Sequence, residues 1–175
     1  MRLLAEIDRT PGIAHQGRTV TREAVRAIIL EGRQLLMIHS TCDGDYKFPG
    51  GGIKKGESHY SALLREVSEE SGAHMRKEIG DFGFVVEYDR PIEKRFDLFK
   101  MTSYYYRVDI EPKFGIQHLD DYEYNLGFTP EWINLEEVIA VNQTLLREQP
   151  ARVQRWVHRE TTVLEIINRE LQGRP

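Results

Sequence analysis

A single mixed α/β domain is predicted by two periodicities that coexist in one chain. Runs of β-branched and aromatic residues read as strands, and two stretches carry apolar residues at helical spacing. A length of 175 residues, 40% apolar and 30% charged, is enough to bury one full core, so one domain over residues 1–175 is expected.

Taken in order, Arg2 to Ile7 is expected as a short edge strand ending at the turn Thr10-Pro11-Gly12. VTREAVRAIIL, Val20 to Leu30, reads as a strand, Glu31-Gly32 as a turn and Gln34 to Ser40 as the return strand of a hairpin. Arg22 and Arg26 are expected on its outer face. Tyr46-Lys47-Phe48-Pro49 leads into Gly50-Gly51-Gly52, three glycines that let the backbone approach a ligand closely. The helix that follows should bury Tyr60, Leu63, Leu64 and Val67 and stop at Gly72.

Phe82 to Tyr88 and Thr102 to Ile110 read as two further strands, with Tyr105 or its two neighbours buried by alternation. The charged stretch between them, DRPIEKRFDLFKM, offers Lys94, Arg95 and Lys100 as candidates for substrate phosphates. A polar connection from Glu111 to Asn125 contains Asp120, Asp121 and Glu123. Phe128 to Ile133 is an edge strand by virtue of Pro130. Asn134, with Glu137 three residues on, caps a helix running to about Leu146. The last helix, about 151–171 after Pro150, carries Val153, Trp156, Val157, Leu164, Ile167 and Leu171 as a stripe for the sheet or a second subunit.

Chemistry concentrates before Gly72. Glu66, Glu69 and Glu70 lie three and four residues apart, so a helix places all three on one side. Like charges one turn apart repel, and they stand at the negative end of the helix dipole. Arg65, four residues before Glu69, relieves part of this. A solvated acidic face is the plain explanation of three glutamates. A hard divalent ion, Mg²⁺ or Mn²⁺, is the natural partner of an all-oxygen set.

The wider spacing separates these explanations. Gly51, five residues, Glu57, seven residues, Arg65-Glu66, apolar Val67, one residue, Glu69-Glu70, one residue, Gly72 and apolar Ala73 resembles the Nudix box at every defined position. Seven positions demand one residue type each. At about 7% per type, a chance match at a given start is on the order of one in 10⁸.

This resemblance implies an α/β/α sandwich with a mixed β-sheet and a catalytic loop–helix–loop over residues 51–73. It implies a Mg²⁺-dependent hydrolase that cleaves a nucleoside diphosphate linked to another group. By the same resemblance Glu66, Glu69 and Glu70 hold the ion, with Glu57 and the Gly51 carbonyl as further ligands. Glu66 is the first candidate for proton acceptor and Glu69 the next, with Arg65 orienting the acids. Glu123 is the expected additional acid from a later loop. Two other members of the fold are weighed against this. A non-catalytic nucleotide-binding regulator commonly loses box acids, all of which stand here. An isoprenoid diphosphate isomerase needs a catalytic cysteine, and the surroundings of Cys42 do not match that motif.

Composition excludes several classes. A net charge of −4 and a pI near 5.9 give no footprint for general nucleic-acid binding, while a small nucleotide or a single RNA end can still be handled locally; the resemblance implies a small nucleotide-type diphosphate as the partner. Cys42 is the only cysteine, so no internal disulfide forms. The N-terminal residues contain no apolar run of membrane or signal length, so a cytoplasmic location is expected; the chain by itself is expected as a monomer or homodimer. Tyr88 and Pro91 both fall near positions that mark Nudix subgroups, and the subgroup is not identified.

Overall fold

The computed structural model describes residues 1–150 and 152–173. Eight strands and four helices follow in the order β1 (Leu3–Asp8), β2 (Thr19–Ile28), β3 (Leu30–Glu31), β4 (Gln34–Ser40), β5 (Tyr46–Lys47), α1 (His59–Ser71), β6 (Ala73–Asp89), β7 (Leu98–Phe114), α2 (Asp121–Leu126), β8 (Phe128–Asn134), α3 (Leu135–Glu148) and α4 (Val157–Gln172). One sheet has the order β1-β6-β7-β2 and is mixed: β1 runs parallel to β6, β6 antiparallel to β7 and β7 parallel to β2. The second sheet is antiparallel, with β4 paired to β3, β5 and β8.

Alternation along β2 divides the core. Val25, Ala27 and Ile29 meet Ala62, Leu63 and Val67 of α1, whereas Ile28 joins Tyr105, Val138, Val163 and Leu164 on the side of α3 and α4. Helices therefore cover both faces, which is the expected α/β/α sandwich. No helix among the described residues is long and apolar enough to cross a membrane.

Several expectations change in detail. The chain leaves the first sheet at Ile29, so the expected hairpin shrinks to β3 and the start of β4, turning at Gly32 with φ +62°. Arg26 is buried rather than outward, because α4 covers the face of β2 that carries it. The strands around the charged connection are each 17 residues long, which shortens that connection to Arg90–Asp97. Tyr105 and Tyr106 are both buried because β7 is covered on both faces. Leu64 is 45% exposed, leaving Ala62, Leu63 and Val67 as the anchoring side of α1. The last helix begins at Val157, and residue 151 lies outside the described residues.

Candidate metal centre and its cleft

Helix α1 is placed by its ends. The Ser58 side chain accepts a hydrogen bond from the Ser61 N–H, and Gly72 closes the helix in the left-handed region at φ +69°. The last carbonyls are satisfied from outside the helix: Gln117 Nε2 donates to Glu70 O at 2.5 Å and the His118 N–H to Glu69 O at 2.8 Å.

The glycine turn lies flat on β2. Ala27 N–H donates to Pro49 O at 2.8 Å, Val25 N–H to Gly51 O at 3.0 Å and Ile53 N–H to Glu23 O at 3.0 Å. Gly50 takes φ +142°, and a Cβ there would come within 2.9 Å of Arg26 Cα. At Gly51 a Cβ would lie 2.5 Å from the Glu66 carboxyl carbon, so only glycine lets this turn and that acid meet.

Glu66 and Glu70 are buried, one helical turn apart, and face the cleft together. One carboxylate oxygen from each and one from Glu123 lie within 4.8 Å of one another. Burial raises the pKa of Glu66, and the neighbouring Glu70 raises it further against the pull of Arg65. Burial likewise raises Glu70, although its Nζ partner Lys47 and the Gly50 N–H at 2.8 Å oppose the shift. Glu123 comes from α2, where it forms a capping box with Asp120.

Glu69 and Glu57 stand apart from this cluster. Glu69 lies one turn from Arg65 on the same side of the helix, and it shares Arg65 Nη1 with Glu66. Arg65 is a hub: it donates to both Glu57 oxygens at 2.9 Å, to Glu66 at 2.6 Å, to Glu69 at 3.2 Å and to the Gly52 carbonyl at 3.1 Å. These bonds, and that from the Lys54 N–H, hold the Glu57 pKa down at about 2. The Gly51 carbonyl is engaged by Val25.

A cleft of about 580 Å³ opens above the acids. Arg9, Arg22, Arg26, Lys47, Arg90, Arg155 and Arg159 line it, together with Ile92, Phe99, Met101, Phe128 and Trp156. Lys94, Arg95 and Lys100 do not: Lys94 and Arg95 are exposed, Lys100 is half-buried, and Arg95 pairs with Glu93 at 2.7 Å. The connection Arg90–Asp97 meets the cleft at other residues. Arg90 and Ile92, at its start, reach the cleft. Arg159 could have been noticed as a charge within the buried turn that Val157 begins.

A family model described as NUDIX domain matches residues 20–157. The chain is 34% identical over 101 residues to an RNA pyrophosphohydrolase of a Nitratiruptor species, covering 53% of this chain and 65% of that protein. It is 37% identical over 76 residues to an RNA pyrophosphohydrolase of Campylobacter jejuni subsp. doylei, covering 40% and 49%. The chain thus spans from about half to just under two thirds of the length of these curated relatives. Among solved structures it is similar to a NUDIX hydrolase from Nitrosomonas europaea, with a TM-score of 0.53 and 19% identity over 71% of this chain and 79% of that one. A MutT NUDIX hydrolase from Burkholderia pseudomallei gives a TM-score of 0.52 and 18% identity over 67% and 85%. The structural likenesses establish the fold, and the match over residues 20–157 establishes the family: this chain belongs to the Nudix family.

Proposed function

We propose that the chain is a divalent-metal-dependent pyrophosphohydrolase, cleaving a diphosphate linkage in a nucleotide-type substrate by attack of water on phosphorus. The observation that supports this best is the convergence of Glu66, Glu70 and Glu123 on the wall of a cleft otherwise rich in arginine. Buried, mutually repelling carboxylates with raised proton affinity fit a hard ion held by oxygen donors, Mg²⁺ or Mn²⁺. Glu66, Glu70 and Glu123 would hold it, and the bound ion supplies charge neutralisation and a lower pKa for the attacking water.

The chain's own groups do the rest. Glu66, its carboxylate held by Arg65 at 2.6 Å, would take the proton of the attacking water. Arg65 fixes the Glu66 carboxylate and ties it to Glu57 and Glu69, so those two acids act through Arg65. Arg22 and Arg90 have no acidic partner among the described residues and line the cleft, which leaves both free for substrate phosphates. The relatives' name makes an RNA end carrying a pyrophosphate linkage the first substrate to try.

The test is a substrate panel with Mg²⁺ or Mn²⁺ and identification of products: 5′-triphosphorylated and capped RNA, nucleoside triphosphates, ADP-ribose, NADH and diadenosine polyphosphates. Turnover of at least one, lost in a folded Glu70→Gln protein, is expected. A fully active Glu70→Gln protein would remove the ion-holding assignment, and binding without turnover across the panel would favour a nucleotide-binding regulator.

A further inference from the structure

Helix α4 carries two buried charges that the proposed reaction does not use, of which Arg159 lines the cleft. Arg159 and Glu160 are 1% and 0% exposed. Glu160 accepts from Arg159 Nη2 at 2.5 Å and Nε at 3.2 Å and from the Tyr105 hydroxyl at 3.3 Å. Its Oε1 also faces Arg26 Nε at 3.8 Å. Arg159 reaches on to Glu87 at 2.7 Å, and Glu87 pairs with Arg9 at the cleft.

Arg26 passes this order to the glycine turn. Pro49 O and Gly51 O are bonded to backbone N–H groups of β2, and the Gly50 carbonyl between them takes a side-chain donor instead. Arg26 Nη1 is its donor. The N–H of the same Gly50 donates to Glu70 at 2.8 Å. One residue thus has its carbonyl held from α4 by way of Arg26 and its amide on an acid of the proposed centre.

We propose that Glu160 is a positioning residue for the metal centre: it holds Arg26 on the Gly50 carbonyl, and so fixes the amide that orients Glu70. The inference rests on the function proposed above. Arg26 lies beside a second buried guanidinium, Arg159, and burial and that like charge both disfavour its ionised form. Glu160 is the carboxylate that opposes both most strongly, with Glu70 adding less, and the balance still lies against the ionised form. Without it, electrostatics drive the Arg26 side chain out toward the open cleft and away from Gly50. Stability alone does not account for the arrangement, because a buried ion cluster is commonly no more stable than apolar residues of similar volume.

That comparison supplies the test. In the full chain, the double variant Arg26→Met/Glu160→Met replaces both charges by apolar groups, while Arg159 keeps Glu87. Glu160→Gln, nearly isosteric, serves as a second variant that keeps the acceptor for Tyr105. Folding is followed by thermal melting, ion binding by Mn²⁺ electron paramagnetic resonance without substrate, and turnover on the best substrate of the panel. Both variants should bind Mn²⁺ at least five-fold more weakly. Both should lose at least ten-fold in kcat, with KM within about three-fold of the wild type. Wild-type Mn²⁺ affinity and kcat in either folded variant overturn the proposal. A wild-type protein that neither binds Mn²⁺ nor turns over any panel substrate instead overturns the proposed function.

Discussion

Single residues in this protein are legible where they follow one another closely in sequence. Arg65 is the clearest case: the box spacing predicts that it orients acids, and it touches Glu57, Glu66 and Glu69. Glu123, expected as an additional acid from a charged connection, converges with Glu66 and Glu70. Lys94 and Arg95 are exposed and do not line the cleft. Asp45 carried no signal at all. It is 1% exposed, its Oδ2 accepts from Trp156 Nε1 at 2.5 Å, and its Oδ1 has no partner among the described residues.

Burial raises the Asp45 pKa from 3.8 to about 6, Asp43 adds to this, and the Trp156 bond opposes it. A carboxyl whose folded pKa lies above its unfolded value stabilises the fold while protonated. That advantage is complete below about pH 4 and is lost as pH rises through 6. The loss amounts to at most about 3 kcal/mol. Asp45→Asn should therefore gain stability relative to wild type by about 2 kcal/mol between pH 4 and pH 8, read by urea denaturation at both pH values. A difference that stays constant with pH would show that Asp45 does not titrate in this range.

At the scale of elements, sequence signals served best where capping chemistry is local. Gly72 ends α1 and Asn134 starts α3, as the sequence predicts. Asn134 Oδ1 accepts the Glu136 N–H at 2.9 Å, so Asn134→Ala should cost about 1 kcal/mol, measurable as a lower urea midpoint with an unchanged slope. Strand length was not legible. The polar stretch Ala73–Ile79 shows no alternation, yet it is strand because β7 pairs with it across a hairpin arm whose residues are largely exposed.

The glycine turn is legible in kind, since three glycines announce a close approach, but the group approached is known only from the fold. Gly51→Ala puts a methyl into the Glu66 carboxylate. Activity should fall at least 100-fold through displaced Glu66, while the backbone conformation at residue 51 remains open to alanine and the melting temperature shifts little. A Gly51→Ala protein with wild-type kcat would show that Glu66 moves aside without consequence.

For the whole molecule, the helical layers explain why the long-range charges escaped the sequence. Arg26, Arg159, Glu87 and Glu160 are distributed over β2, β6 and α4, and each looks like an ordinary surface charge in its own segment. Only closure of α4 on the sheet makes them one buried cluster. Glu66 and Glu70 have the opposite problem, being crowded one turn apart on a single helix. Glu66 and Glu70 are both disfavoured as anions in the fold, so the ion-free protein loses stability as pH rises through their raised pKa values. A divalent ion that binds only the folded state reverses this, by about 2.7 kcal/mol at a concentration of 100 times its Kd. In a protein of this size that corresponds to a rise in Tm of roughly 5–10 °C. Calorimetry at pH 8 should show that rise when EDTA is replaced by excess Mn²⁺. Glu66→Gln should melt above the wild type in EDTA, having lost the repulsion, and should respond little to Mn²⁺. If wild type and Glu66→Gln respond equally to the ion, its stabilising site lies elsewhere on the chain.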